Sequence, residues 1–308
     1  MSLILAHNIS WSAPLPKAEA KTAWIVVTLA DNELYLSKDA GKTFDKLMLE
    51  KESPHIIRAM ISPDHARLIL LTRDKINDTN ISVAVAKLGK ADFPLKIKSI
   101  AEFQHIIHLI PFENGNEVYV SGLNVSQSNQ PNILRHQCWE SSRLNLDTSK
   151  RTDLPVSGEY RIWSSIPDSE DVLAIRTANL KARGNGIRGP EISLVRSKAV
   201  KLDAKVLITP ELDFSPLIHL GDGERVLVST PKAEIGVYDF SKNELKLWKD
   251  GDASKYRMFQ FDPTSKRLFH VGYSPKSTNG ELFQISTDGT NQTKLKSFEK
   301  LIRWIDVR

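Results

Sequence analysis

Hydrophobic residues occur along this chain in short alternating or β-branched runs, which Gly, Pro, Asn, Asp and Ser interrupt every few residues. Alternation with a period of two is typical of strands that bury one face. No segment repeats apolar residues at the i, i+3, i+4 and i+7 positions of an amphipathic helix. The pattern therefore predicts an all-β protein.

Six of the apolar runs share the same texture and recur at similar intervals. Their centres are about 42 to 54 residues apart and lie at Trp24, Leu68, Val118, Val172, Val226 and Leu268. Runs with strand character precede and follow these centres, so each repeat holds four short strands. Four antiparallel strands repeated about six times are typical of a β-propeller, and the repeat length suits propeller blades. A two-sheet sandwich would not explain the repeat.

We therefore predict a single β-propeller domain over residues 1–308, with six blades, or seven as the alternative. The predicted blades comprise residues 24–50 with 300–308, 55–100, 105–154, 160–210, 215–251 and 256–298. Blade 1 has no innermost strand before Trp24, whereas residues 299–307 resemble the innermost strands of the other blades. The C-terminal strand should therefore complete blade 1 and close the ring. Residues 2–10 could add a further strand.

The composition limits the kinds of partner and cofactor. The chain has a formal net charge of +5, which is too low for a committed nucleic-acid-binding protein, and one cysteine, Cys138, which excludes an internal disulfide framework. His105 and His108 would lie on opposite faces of a strand, so we predict no metal. The segment Gly184–Gly189 has a Gly-x-Gly-x-x-Gly spacing, but Pro190 and a strand-like run follow it. A dinucleotide site needs a helix there, so we predict no cofactor.

No apolar run approaches the roughly 18 residues that a membrane helix needs, so we predict no membrane insertion. The first residues, MSLILAH, have neither the basic flank nor the cleavage site of a signal peptide. The sequence as given suits a cytoplasmic protein, and it suits a periplasmic or secreted protein if a signal peptide has been removed. We expect the chain to be monomeric on its own.

The segment SKDAGKTF resembles the Asp-box, or BNR motif, of sialidases, sortilin-type receptors and other propellers. The match comprises Ser37, Asp39, Gly41, Thr43 and Phe44. Two further segments, SPDHARLILL and GELFQISTDGTNQTKL, resemble the inner and outer hairpins of TolB-type propeller repeats. The resemblance implies that the Asp-box lies between the third and fourth strands of blade 1. Because a carboxylate, a glycine and a hydroxyl together are turn chemistry, we predict a structural role for it.

The connections between second and third strands differ in length. They are long in blades 2, 3, 4 and 6 and tight in blades 1 and 5. In a propeller these connections emerge on one face, and loops on a rigid scaffold commonly carry function. We therefore predict a binding surface there that comprises Arg73, Lys75, Asn129, Gln130, Lys181, Arg183, Asn185 and Arg188.

The predicted innermost strands carry basic residues at broadly comparable positions, namely Arg58, His108, Arg161, His219, Arg257 and Arg303. If these side chains reach the central channel, they form a basic funnel that can bind carboxylates or phosphates. If they point between blades, they pair with acidic neighbours instead. Strand alternation by itself leaves both alternatives open.

Two functions fit these features. The first is a non-enzymatic scaffold that binds another protein or a peptide, of acidic character, across the loop-rich face. The alternative is a sialidase-like protein that acts on or binds glycans through the basic funnel. That resemblance implies three arginines and a tyrosine nucleophile paired with glutamate, for which Tyr160 and Tyr256 are the nearest candidates. Because the sequence assigns neither such a pair nor any catalytic residue, we favour the scaffold over an enzyme.

Overall fold

The computed structural model describes residues 22–50, 53–75, 80–88, 94–103, 106–112, 115–123, 139–154, 160–166, 169, 171–176, 191–195, 204–209, 212, 214–272 and 279–308. Within these residues the chain forms six four-stranded antiparallel sheets. The innermost strands of neighbouring sheets contact one another in four of the six seams, which places these strands around a central axis. The predicted all-β, six-bladed propeller is confirmed, and the seven-bladed alternative is wrong.

The strands are numbered β1 to β24 in chain order, and each blade is given from its innermost to its outermost strand. Blade 1 comprises β24 (Ile302–Val307), β1 (Ile25–Leu29), β2 (Leu34–Ser37) and β3 (Asp45–Leu47). Blade 2 comprises β4 (His55–Ile61), β5 (Arg67–Arg73), β6 (Ile81–Lys87) and β7 (Lys98–Phe103). Blade 3 comprises β8 (Ile106–Pro111), β9 (Glu117–Leu123), β10 (Trp139–Asn145) and β11 (Arg151–Asp153).

The remaining blades repeat this order. Blade 4 comprises β12 (Tyr160–Ser165), β13 (Val172–Arg176), β14 (Glu191–Val195) and β15 (Ala204–Ile208). Blade 5 comprises β16 (Ser215–His219), β17 (Arg225–Ser229), β18 (Glu234–Asp239) and β19 (Glu244–Asp252). Blade 6 comprises β20 (Tyr256–Asp262), β21 (Arg267–Gly272), β22 (Gly280–Ser286) and β23 (Thr293–Phe298). A 3₁₀ turn at Ala253–Lys255 precedes blade 6, and the described part of the chain contains no helix long and apolar enough to cross a membrane.

The hydrophobic core lies between adjacent blades. The second strands are the most deeply buried, as in β1, where all five residues are buried. Val26 of blade 1 packs in one cluster with Ile61 and Leu70 of blade 2. The outermost strands are more exposed, as in β11. β-branched residues suit the inner strands because both faces of each sheet pack against a neighbouring blade.

Strand β24 closes the ring. It pairs antiparallel with β1, beginning with Val307 opposite Ile25. The ladder continues between the backbones of Trp24 and Arg308, with N···O distances of 2.6 Å and 2.9 Å. The prediction that the C-terminal strand completes blade 1 is therefore confirmed. The further strand predicted for residues 2–10 lies outside the described residues.

The two faces of the ring receive different connections. Each innermost strand begins at the loop face, which we define by the connections between second and third strands in blades 2, 3, 4 and 6, at residues 74–80, 124–138, 177–190 and 273–279. Each innermost strand ends at the opposite hairpin face, which we define by the turns between first and second strands and between third and fourth strands. The loop face therefore receives all four long second-to-third-strand connections.

Side chains close many of the hairpin-face turns. In these turns a carboxylate or amide oxygen accepts backbone N–H groups two to four residues further along the chain, as seen for Asp39, Asp64, Asn145, Asp222, Asp239, Asp262 and Asp288. Asp and Asn favour turns because a short side chain can satisfy such amides. The turn signals in the sequence therefore correspond to local hydrogen bonds on one face.

Candidate functional site

A β-bulge interrupts the innermost strand of each blade. The register with the second strand shifts across one extra residue, which is Ile57, Ile107, Trp163, Leu217, Met258 or Arg303. A bulge leaves this residue without a cross-strand partner and re-aims the side chains around it. The six bulges therefore help to set which side chains of the innermost strands face the channel.

The basic residues of the innermost strands, which were predicted to lie at comparable positions, lie at different positions relative to the bulges. Arg58 and His108 directly follow the bulges of blades 2 and 3. Arg257 directly precedes the bulge of blade 6, and Arg303 is itself the bulge residue of blade 1. Relative to the bulges, Arg58 and His108 therefore share one position, whereas Arg257 and Arg303 each lie at a different one. Each bulge adds a residue that the apolar pattern does not reveal.

Arg161 and His219 differ again. Arg161 lies two residues before the bulge of blade 4, so it too departs from the predicted common position, and its side chain lies outside the described residues. His219 lies two residues after the bulge of blade 5 and is buried.

A cavity of about 520 Å³ lies in the channel towards the hairpin face. Residues of the turns after the innermost strands form its rim, including Pro63, His65, Gly221 and Pro263. The innermost strands form its walls, with side chains that include Arg58, His108, Trp163, His219, Trp304 and Arg308. The structure therefore brings Arg58, His108 and His219 together on one cavity.

The guanidinium of Arg58 lies over the indole of Trp304, with its central carbon 4.3 Å from the ring centroid. This distance is typical of a cation–π contact. Burial lowers the pKa of Arg58 from its usual value, but an arginine side chain stays protonated in proteins. The stack holds one face of the guanidinium, and its N–H groups point along the edge. The cavity thus contains a cation of fixed orientation.

Asp306 is the one carboxylate among the described residues that line the cavity. It is 3% exposed, and burial raises the pKa of its carboxyl group. Its Oδ2 accepts the N–H of Ile61 at 2.9 Å and lies 3.7 Å from Nε of Arg308. Asp306 therefore connects blade 1 to blade 2.

His219 connects blades 4 and 5 at the cavity wall. Its Nδ1 lies 3.2 Å from Oγ of Ser164, and its Nε2 accepts the N–H of Gly223 at 2.9 Å. Burial lowers the pKa of His219 to about 4, so the ring is neutral at neutral pH. Because Nε2 accepts a hydrogen bond, the single ring proton is on Nδ1, and the ring donates towards Ser164. A protonated Nδ1 cannot accept the serine proton, so this pair does not form an activated nucleophile.

Arg303 and Arg257 lie near the loop face. Nη2 of Arg303 donates to the carbonyl of Ala30 at 2.7 Å, and Nη1 donates to the carbonyl of Ile56 at 3.1 Å beside the ring of His55. Arg303 therefore joins blades 1 and 2. Arg257 is exposed near the start of β20.

The two candidate tyrosine nucleophiles pack between blades. Tyr160 lies in a cluster with Phe112 of blade 3, and its hydroxyl lies 3.2 Å from Oε1 of Glu191. This tyrosine–glutamate pair was not assigned from the sequence. Burial, and then the Glu191 charge, raise the pKa of Tyr160, which makes the phenol a poorer nucleophile. Tyr256 packs edge-on against Trp248. Neither tyrosine lines the cavity.

The loop-face residues predicted for binding are only partly described. Arg73 ends β5 and is half-buried, and Lys75 follows it in an exposed position. The other predicted binding residues lie outside the described residues, namely Asn129, Gln130, Lys181, Arg183, Asn185 and Arg188.

The turn Ser37–Phe44 connects the third and fourth strands of blade 1, as the resemblance implied. Oδ1 of Asp39 accepts the N–H of Thr43 at 2.9 Å, and Oδ2 accepts its hydroxyl at 2.7 Å. These bonds hold the pKa of Asp39 down to about 2. Gly41 has a φ of +88°, a conformation that side chains disfavour. Phe44 packs edge-on against Phe298 of blade 6, so the turn also supports the seam between these blades.

The sequence did not identify Trp304, Asp306 and Arg308 as cavity residues. They belong to the closing strand and its end, and only ring closure places them beside β4. The one sequence signal for these cavity residues was that Trp304 directly follows Arg303, a basic residue of the predicted funnel. Among the described residues, no group of three or more His, Cys, Asp or Glu side chains could hold a metal ion.

No protein-family model matches the sequence, and no curated protein matches it. Among solved structures, TolB from Acinetobacter baumannii is similar, with 12% identity and a TM-score of 0.67 over 94% of this chain and 67% of that chain. A chain of the nidogen/laminin complex shares 8% identity, with a TM-score of 0.60 over 92% and 98% of the two chains. The β-propeller domain of the Trilobed protease from Pyrococcus furiosus shares 13% identity, with a TM-score of 0.52 over 88% and 78%. These similarities show a six-bladed β-propeller fold.

Proposed function

We propose that this protein is a non-enzymatic scaffold that binds an acidic segment of another protein, or an acidic peptide, across the loop face. The observation that carries the proposal is the distribution of connections between second and third strands. The four long ones, at residues 74–80, 124–138, 177–190 and 273–279, all leave the ring on the loop face. Such connections on a rigid ring are a common way to build a recognition surface.

Basic residues at this face favour an acidic partner. Lys75 and Arg257 are exposed there. The connection 177–190 contributes Lys181, Arg183 and Arg188. Charge complementarity of this kind raises the rate of association and falls with salt. The proposed contact residues are Arg73, Lys75, Asn129, Gln130, Lys181, Arg183, Asn185 and Arg188.

The described polar groups of the channel support binding rather than catalysis. The Ser164–His219 pair has the wrong tautomer for a base, and Tyr160 is directed between blades. One of the similar propellers comes from the nidogen/laminin complex, so the fold can take part in a protein–protein complex. Fold alone does not assign a function, and the loop face carries this proposal.

We interpret the Ser37–Phe44 turn as an Asp-box with a structural role. Its side chains bond to their own turn, and Phe44 packs between blades. It lies on the hairpin face, away from the proposed binding surface.

A sialidase-like, glycan-binding protein is the alternative function. Its support is that Arg58 and Arg308 line the same cavity, where they could bind a sugar carboxylate. A panel of chromogenic glycosides tests it, and we expect no turnover. Turnover that is lost on Arg58→Met would favour this alternative over the scaffold.

The scaffold is tested by capture of partners from a native lysate, followed by titration of each purified partner over a salt series. We expect the Arg183→Ser/Arg188→Ser variant to bind at least about threefold more weakly at low salt, with the difference shrinking as salt screens the charges. The matched control is Lys242→Ser/Lys246→Ser, which removes the same charge from exposed positions of blade 5. Equal weakening by both variants, or by neither, would contradict the proposed surface.

A further inference from the structure

The central cavity has the volume of a small-molecule site. Its volume of about 520 Å³ lies within the roughly 300–1,000 Å³ typical of ligand pockets. It lies towards the hairpin face, whereas the proposed partner surface lies on the loop face. A ligand in the cavity would therefore be independent of the proposed scaffold function.

The wall is rich in aromatic side chains. Trp163, Phe259, Phe261 and Trp304 come from three different innermost strands and line the cavity. Aromatic side chains offer large apolar surfaces at low conformational cost, and planar groups stack well on them. This part of the wall suits an apolar, planar portion of a ligand.

The charged part of the wall is cationic. Arg58 and Arg308 line the cavity, and Asp306 is the one carboxylate among its described lining residues. Asp306 is buried, accepts the N–H of Ile61 and lies 3.7 Å from Arg308. The formal charge of these three side chains is therefore positive. Walls of low dielectric strengthen the attraction of such a site for an anion.

Arg58 is the group best placed to bind that anion. Trp304 lies against one face of its guanidinium at 4.3 Å, and the five N–H donors of the group lie along its edge. A guanidinium edge matches the spacing of carboxylate and phosphate oxygens and can bind them through two parallel hydrogen bonds. His108 occupies the equivalent position in blade 3 and can donate a further hydrogen bond to an anion.

We propose that the central cavity binds a small organic anion. Its carboxylate or phosphate monoester group lies on the edge of Arg58, and its planar apolar group lies against the aromatic wall. The two parts of the wall select different parts of such a ligand. The arginine binds the anionic group, and the aromatic side chains contact the apolar body.

The first test uses the wild-type protein and isothermal titration calorimetry. The probes are phenylacetate and phenyl phosphate, with phenylacetamide as the uncharged match, and acetate and inorganic phosphate as anions without the ring. We expect saturable binding of phenylacetate, phenyl phosphate or both, at least about tenfold tighter than the amide and the ring-free anions. The two anionic probes distinguish a carboxylate site from a phosphate site. Binding of neither at up to about 10 mM, or equal binding of the amide, would overturn the proposal.

The second test places the anion on Arg58. Arg58→Met keeps an unbranched side chain against Trp304 but removes the charge, and we expect it to weaken the better probe at least about tenfold. Arg257→Met is the matched control, because Arg257 lies on another innermost strand outside the cavity, and its probe affinity should be unchanged. Melting temperatures show whether each variant folds. If Arg58→Met does not fold, the wild-type comparison with phenylacetamide still decides. Unchanged affinity in folded Arg58→Met would overturn the site.

Discussion

The hairpin face and the loop face are built in different ways from the same ring. On the hairpin face, turns such as those at Asp64 and Asp288 close through hydrogen bonds from their own side chains. On the loop face, blades 1 and 5 have tight connections at residues 30–33 and 230–233, whereas the other four blades have longer ones. The difference shows that the chain fixes its blade repeat locally on one face and varies its connections on the other.

The largest effect on stability should come from the loss of a strand that extends from one face to the other. Deletion of residues 300–308 removes β24, which spans the ring from the loop face to the hairpin face and buries Ile305 completely. The variant should aggregate or fail to express as a soluble protein, since it exposes the edge of β1 and the core of blade 1. Soluble expression with a cooperative unfolding transition would show that closure by β24 is dispensable.

The second-largest effect on stability should come from acidification, which acts on the hairpin face. His219 accepts the N–H of Gly223 in a hairpin-face turn, and its pKa is lowered to about 4. Its folded pKa is below the unfolded value of about 6.5, so the neutral form stabilises the fold fully above pH 6.5. This contribution, about 3 kcal/mol, should be lost as the pH falls through this window towards 4. Urea unfolding at several pH values measures it.

The control for this prediction is His219→Gln. Its amide oxygen can accept the Gly223 N–H but does not titrate, so the variant should lose less stability between pH 6.5 and 4 than the wild type. His270 also has its pKa lowered to about 4 by burial, and it should titrate in both proteins. Identical pH profiles would show that His219 does not contribute.

A smaller effect is expected from the turn at Asp39. Asp39→Ala removes acceptors for the Thr43 N–H and hydroxyl and should lower the melting temperature by a few degrees at neutral pH. Because the pKa of Asp39 is lowered to about 2, its contribution should be complete above pH 3.8 and lost as the pH falls through 2. Asp45→Ala, an exposed change of equal charge on β3, should have little effect. A loss of partner binding at an unchanged melting temperature would contradict a structural role.

The smallest effect on stability should come from the loop face. Leu123 and Trp139 are paired across β9 and β10, so an Asn-Gly turn can replace residues 124–138. The shortened protein should melt within a few degrees of the wild type, because loop length has only a weak effect on closure entropy. Partner binding should fall if this connection belongs to the recognition surface. A cooperative loss of the fold would mean that the connections of the loop face are also needed for the stability of the blades.

Much of the fold could be predicted because its signals are local. The run HIIRAMI corresponds to β4 and GELFQIS to β22, since alternation and turn residues act within a few positions of one another. The candidate site was harder to predict. The sequence left open whether the basic residues of the innermost strands face the channel. Arg58 and His108 line the cavity, whereas Arg303 joins blades 1 and 2. A bulge shifts the alternation of side chains along a strand by one residue, and the local pattern of apolar residues does not indicate where a bulge occurs.

The sequence by itself determined the all-β class, the four-stranded blade repeat, the turn chemistry and the closure by the C-terminal strand, whereas the structure decided between six and seven blades. Each follows from periodicity or from short-range hydrogen bonding, which a run of residues encodes directly. Only the tertiary structure decided that Trp304 lies against Arg58 and that Asp306 reaches the backbone of Ile61. These contacts join residues far apart in the chain. They depend on ring closure and bulge position together, so the chemistry of the cavity exists only once all six blades have assembled.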